Sequence, residues 1–214
     1  MSPVSESPTR RKPKPRPERE RIVLDTAARL FYARGVHEVG MDELVREAGL
    51  GKATVYRLFP TKDLLVGAYL QRLAGEILGE IDRQAADAGS PGQALHEMLA
   101  AIETDLRRSG FRGCAFNNAS IEFDDPAHPA RVAAREYRRD LHGRMLASAR
   151  RLLPGAEGEA VALAGRLATL VDGAYTNAAH LGPDGPAADG LVLAHELVDA
   201  AGASTSDTLS APPP

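Results

Sequence analysis

Four side chains in one short run carry the chemistry this chain offers: Lys52, Thr54, Tyr56 and Arg57. On a helix from Lys52 to Phe59, the apolar Val55, Leu58 and Phe59 fall on one side and those four stand on the other. Lysine and arginine suit phosphate oxygens or the acceptor edge of guanine. Threonine suits a base edge or a thymine methyl, and tyrosine a phosphate oxygen. The preceding run, Met41 to Ala48, sets Leu44, Val45 and Ala48 against Asp42, Glu43, Arg46 and Glu47. Gly49 stands between the two runs, where a left-handed residue must end the first helix. Pro60 ends the second, because a residue before proline is pushed out of the helical region. Two helices about a glycine corner, the second short and cationic outward, form the pattern of a helix-turn-helix that enters the DNA major groove. By spacing alone, an ordinary helical hairpin with a wet face fits as well.

The rest of the chain offers little for catalysis or metal binding. The six histidines, His37, His96, His128, His142, His180 and His195, make no HExxH and no i,i+4 pair. Cys114 has no CxxC partner, and no GxSxG, P-loop or GxGxxG occurs. Cys114 beside phenylalanines reads as a small packed hydrophobe; oxidant sensing would require it to be exposed and acidified. Neither a catalytic residue nor a metal or other cofactor is expected.

The elements that must position the four side chains follow from caps and periodicity. Pro17 to Gly35 reads as a first helix with Ile22, Val23, Ala27, Leu30 and Phe31 along one stripe. Thr61 is a good N-cap for a long helix opening at Lys62-Asp63 and running to about Ala88, with Leu70, Leu73, Ile77 and Ile81 on one side. Its free N–H groups and the Lys62 ammonium form a phosphate-attracting start. Ser90-Pro91 opens the next helix, cap then proline at the first position, and Leu95, Met98, Leu99, Ile102 and Leu106 make its apolar face. The stretch FRGCAFNNASIEFDD then reads as a buried short helix that mixes apolar walls with a few polar groups. Pro126 to Leu153 reads as a charged helix with Val132, Tyr137, Leu141, Met145 and Leu146 inward, its arginines on the wet side. Gly158 to Leu181 and Pro186 to Gly202 close the chain with smooth faces of small residues.

Composition bounds the class. With 214 residues, abundant alanine and leucine and no β-branched runs, the chain reads as all-α. No apolar run approaches the ~20 residues of a membrane span, so no membrane partner is expected. The basic, proline-rich start lacks the apolar stretch of a signal peptide. A single cysteine fits a reducing cytoplasm. Residues 1–66 hold 13 Lys and Arg against 9 Asp and Glu, and residues 67–214 hold 13 against 20. A basic head on an acidic body turns its front toward a polyanion. Residues 1–17, with five prolines and Arg10, Arg11, Lys12, Lys14 and Arg16, cannot be globular. They read equally as a basic arm that follows DNA and as a solvated tail.

Ile22 to Tyr69, IVLDTAARLFYARGVHEVGMDELVREAGLGKATVYRLFPTKDLLVGAY, resembles the DNA-binding domain of TetR-family (TetR/AcrR-like) transcriptional regulators without a gap. AARLFYARG resembles that family's first helix, MDELVREAGL its second helix and turn, and GKATVYRLFPTKDLL its recognition helix, aromatic-proline stop and fourth-helix entry. RGCAFNNASIEF resembles one branch of the family's C-terminal domains. Gly40, Gly51 and Leu58 depart from the usual Ser/Thr, Ser and His, so contacts those side chains make in relatives are not carried over.

The resemblance implies an N-terminal three-helix helix-turn-helix domain, residues 18–66, and a helical effector-binding and dimerisation domain, residues 67–202. The arm 1–17 and a disordered tail 203–214 flank them. It implies a dimer through the last two helices, double-stranded DNA with a pseudo-palindromic operator as partner, and an unidentified small-molecule effector. Thr54 and Arg57 are then the base readers, with Ala53 close to a base edge, and Lys52, Tyr56 and Lys62 the phosphate holders. Candidate pocket residues are Leu73, Ile77, Leu99, Ile102 and Phe116, with Asn117, Ile121, Tyr137, Leu141 and Tyr175; each also reads as plain core. Two other readings remain at this point: a body that binds a small molecule for its own sake, and an architectural binder that hardly distinguishes sequences.

Overall fold

A computed structural model describes residues 14–210, with side chains through Ala203. The described residues form helices only. In order these are α1 (Arg16–Arg34), α2 (Met41–Ala48), α3 (Lys52–Leu58), α4 (Lys62–Asp87), α5 (Pro91–Leu106), α6 (Ala115–Ser120), α7 (Pro129–Leu152), α8 (Glu157–Leu181) and α9 (Pro186–Ser210). The starts follow their caps. The Thr61 hydroxyl accepts from Leu64 N, and the Ser90 hydroxyl accepts from Gln93 N with Pro91 behind it. Gly49 ends α2 at φ 61°, a conformation that costs any other residue energy.

Two expected boundaries differ. The first helix begins at Arg16, inside the span expected to be disordered, and the rest of that arm, residues 1–13, lies outside the described residues. The last helix does not stop near Gly202 but continues to Ser210. The polar run after Gly202 reads as tail because Ser, Thr and Asp favour caps and turns over helix interiors. Here the backbone simply propagates from the packed helix before it.

Two apolar cores hold the molecule. The first joins α1, α2, α3 and the start of α4 around Val23, Leu30, Leu44, Val55, Leu65 and Leu70. It does not end with the head, because Phe116 and Ala119 of α6 and Ala130, Ala133 and Ala134 of α7 belong to it. The second core fills the space among α4, α5, α7, α8 and α9 around Leu95, Leu99, Met145, Leu167 and Leu191. Helix α4 passes through both, so head and body share one rod.

A close approach along that rod is at Gly67. A Cβ there would lie 2.7 Å from the Cβ of Pro129, the first residue of α7. Gly67→Ala should therefore push α4 and α7 apart at about 1–3 kcal/mol. At roughly 2–4 °C per kcal/mol for a chain of this size, thermal unfolding would detect it; an unchanged melting temperature would show that the two helices slide freely.

Candidate nucleic-acid interface and body cavity

Helix α3 lies on the head with only one of its side chains, Val55, fully buried. Phe59, its C-cap, is buried too, and these two anchor it to the head core. Leu58, expected inside, is half-buried. Lys52, Ala53 and Arg57 are exposed, and Thr54 and Tyr56 half-exposed, so the five share the open side of a helix with no acidic residue. The Lys52 ammonium reaches Asp42 of α2 at 2.7 Å and lies 5.7 Å from the Tyr56 ring centre. The hydrogen bond to Asp42 holds the lysine above its ordinary pKa, so it is a full cation on the open face.

Two neighbours of this face come from α1: Arg16, which the sequence assigned to the basic arm, and Arg19, which sequence reasoning missed. Arg16 and Arg19, from the first turn of α1, line a recess of about 60 Å³ together with Thr54, Arg57 and Leu58. The signal was present as basic residues three apart at the start of a helix, but only folding brings them beside α3.

Lys62, expected at a phosphate, is bonded within the head. Its ammonium donates to Val36 O at 2.9 Å and Val39 O at 3.1 Å, tying the α1–α2 loop to the start of α4. Glu122, just past α6, grips the same loop from the body. One carboxylate oxygen accepts from Val36 N at 2.8 Å; the other accepts from His37 N at 2.7 Å and lies 3.0 Å from His37 Nδ1. Tyr32 of α1 adds a third tie, donating to Gly113 O and accepting from Arg112 N. Glu122→Gln would face an amide NH₂ toward one of those backbone donors. It should cost about 1–3 kcal/mol, and amide exchange at Val36 and His37 should accelerate with it. Unchanged exchange at both would show that the loop holds without Glu122.

The candidate pocket residues divide. Leu73 and Ile77 of α4, Ile102 of α5, Tyr137 and Leu141 of α7 and Tyr175 of α8 surround a hollow of about 360 Å³. Phe116 borders an adjoining hollow of about 480 Å³ toward the head, which shares Leu73, Ile77, Tyr137 and Tyr175 with the first. The other three candidates do not line the 360 Å³ hollow. Leu99 is sealed in the body core at 1% exposure. Asn117 borders an arginine-lined groove along α7, where its side-chain oxygen accepts from Arg138 at 2.8 Å. Ile121 is corrected outright: it caps the last turn of α6 and points to solvent at 78% exposure.

Inside the hollow the Tyr175 hydroxyl donates to Asp105 at 2.9 Å. Burial, and then the Asp105 charge, push the Tyr175 phenol far up, so it stays a donor. The Tyr137 ring stacks on Phe116 with centres 3.7 Å apart. Burial likewise raises the Cys114 thiol, so it lacks the acidified character that oxidant sensing needs. Among the described residues, no group of three or more His, Cys, Asp and Glu is placed to hold a metal ion, and no helix is long and apolar enough to cross a membrane.

Comparison with known proteins agrees with this geometry. A family model for bacterial regulatory proteins of the tetR family matches residues 23–69. A TetR-family transcriptional regulator from Streptomyces coelicolor superposes with a TM-score of 0.80 at 30% identity, over 87% of this chain and 97% of that one. The HTH-type transcriptional regulator BetI of Brucella canis is 26% identical over 194 residues, 85% of this chain and 90% of that protein. An uncharacterised HTH-type transcriptional regulator of Mycobacterium tuberculosis is 38% identical over 85 residues, which span 40% of this chain and only 41% of that relative.

Proposed function

This chain belongs to the TetR family of DNA-binding helix-turn-helix transcriptional regulators, and from that premise we propose that it is a dimeric, sequence-specific repressor released by a small-molecule effector. The observation that carries the reading is the open, cationic α3 face, flanked by Arg16 and Arg19. Thr54 and Arg57 read base edges, and Ala53 sits close enough to one to exclude bulk. Lys52, Tyr56 and the remaining N–H of Lys62 hold phosphates. Lys52 gives up an exposed pairing with Asp42 to do so, which costs little.

Two heads are needed to span successive major grooves. Val161 and Leu181 on α8 and Val192 and Leu193 on α9 are large apolar side chains left exposed in the single chain. A second copy laying its own α8 and α9 across them would bury them in a four-helix bundle about a two-fold axis. That symmetry calls for a pseudo-palindromic operator with half-sites about 34 Å apart. A ligand in the hollow beside α4 that prefers another tilt of that helix would change the spacing of the heads. A coupling of about 1–3 kcal/mol changes DNA affinity some five- to 150-fold. A regulator that acts on chromosomal DNA would work in the cytoplasm, and no catalytic step is assigned to it.

Selection of bound sites from random DNA tests the reading. The expected product is a pseudo-palindrome with half-sites one helical turn apart, retarded by the pure protein at ordinary salt. Recovery of no common sequence would leave a binder that reads only the backbone. Deleting residues 1–17 in the same assay should flatten the salt dependence if the arm holds phosphates, and leave the slope alone if it does not.

A further inference from the structure

The 360 Å³ hollow has a charge pattern that its apolar walls do not require. Every charged side chain on its lining is an acid: Glu76 and Glu80 from successive turns of α4, and Asp105 from α5. The rest of the lining includes Ile77, Met98, Val171 and the rings of Tyr137 and Tyr175. The basic partners of the acids approach from elsewhere: Arg72 lies 3.5 Å from Glu76, Arg83 pairs with Glu80, and Arg108 lies 2.6 Å from Asp105. None of the three arginines lines this hollow, and the Glu76 and Glu80 pairs are exposed enough to be readily exchanged.

A second feature is independent of charge. The Gln84 amide nitrogen donates to Glu80 at 3.1 Å, but its oxygen is buried on the same lining with no donor. A buried acceptor without a partner is costly and uncommon. An N–H brought in by a ligand would satisfy it, beside a carboxylate and within a cavity walled by two tyrosine rings. Aromatic faces add attraction for a cation.

We propose that this hollow binds a protonated amine carried on an apolar, aryl-sized body, with the ammonium between Glu76, Glu80 and the Gln84 oxygen and the body against Ile77, Met98, Tyr137 and Tyr175. It rests on the effector reading above and gives that site its chemical class. The adjoining hollow points the other way, since its charged lining adds Arg29 and Arg108 to Asp105. An acid would be drawn there, so a carboxylate of equal size is the control that discriminates.

Calorimetric titration of the full chain with 4-phenylbutylamine, 4-phenylbutan-1-ol and 4-phenylbutyrate, all with one body, tests the assignment. The amine should bind about tenfold or more tightly than the alcohol, and the carboxylate most weakly. The Glu76→Gln/Glu80→Gln double variant, checked for an unchanged melting temperature, should lose that margin while keeping the alcohol's affinity. Equal binding of amine and alcohol, a preference for the carboxylate, or no binding of any of the three overturns the proposal. Operator retardation, run on the same samples, separates the two readings. Amine binding without any change in DNA affinity keeps the ligand class and removes the release mechanism. Intact operator binding with no amine binding removes the ligand class alone.

Discussion

Arg57→Ala should sharply cut operator affinity by relaxing the reading of one base position in each half-site, while leaving weak binding to unrelated DNA largely in place. The guanidinium is exposed on the open face of α3, and among the described residues no acid is paired with it. A bidentate contact from such a group to guanine is worth about 1–3 kcal/mol of discrimination. A symmetric dimer loses it twice, so the operator affinity should fall roughly thirty-fold at the least and about twenty-thousand-fold at the most. Selection with the variant should then return a site that is degenerate at one position in each half. Tyr56→Phe is the matched contrast: it removes one hydroxyl from a phosphate and should weaken every sequence by a similar small factor. If Arg57→Ala lowers cognate and scrambled DNA equally, Arg57 belongs with the phosphate holders and the reading of bases falls to Thr54.

Arg57 was visible in the sequence because everything that exposes it is local. Gly49, Val55, Phe59 and Pro60 set the corner, the anchor and the stop within a dozen positions; Gly49 and Pro60 signal through backbone preference, Val55 and Phe59 through apolar spacing. Thr61 and Ser90-Pro91 mark their helices in the same way. What could not be read was whatever depends on distant segments meeting. Glu122 grips Val36 and His37 across more than eighty positions, and nothing near it in the chain tells a gripping carboxylate from a wet one. His96 and His195 looked solitary, yet their Nδ1 atoms lie 2.6 Å apart, with Asp199 on the far side of His96. Periodicity found the inward faces of α4, α5 and α8, but in α7 Val132, Tyr137, Leu141 and Leu146 are only half-buried and Ala130, Ala133, Ala134 and Ala149 fill the core beside Met145. Nor could it tell a residue that seals the core, such as Leu99, from one that borders a void, such as Ile102. That difference is set by how far apart the helices stand, which is a property of all of them together.

The largest stability effect is expected at Phe116. Its side chain is 2% exposed, packs with the head core, and stacks on Tyr137, which touches both cores. Phe116→Ala removes the stack and leaves a cavity that the short helix α6 cannot collapse to fill, because Glu122 and Tyr32 already fix the segments at either end. Such a truncation costs about 3–5 kcal/mol. At roughly 2–4 °C per kcal/mol, the melting temperature should fall by something like 6–20 °C. Ile121→Ala, five positions along and facing solvent, should stay within about 0.5 kcal/mol of the parent. The loss should also appear in the head. With Phe116 gone, the anchor of α6 between Tyr137 and the head core is gone, and Glu122 holds the α1–α2 loop from a looser support. Amide exchange at Val36 and His37 should therefore quicken in Phe116→Ala at temperatures where the body is still folded. If the melting temperature drops but exchange at those two amides does not change, the head is carried by α4 alone. The proposed coupling between the body hollow and the DNA-binding face would then run through that helix and not through α6.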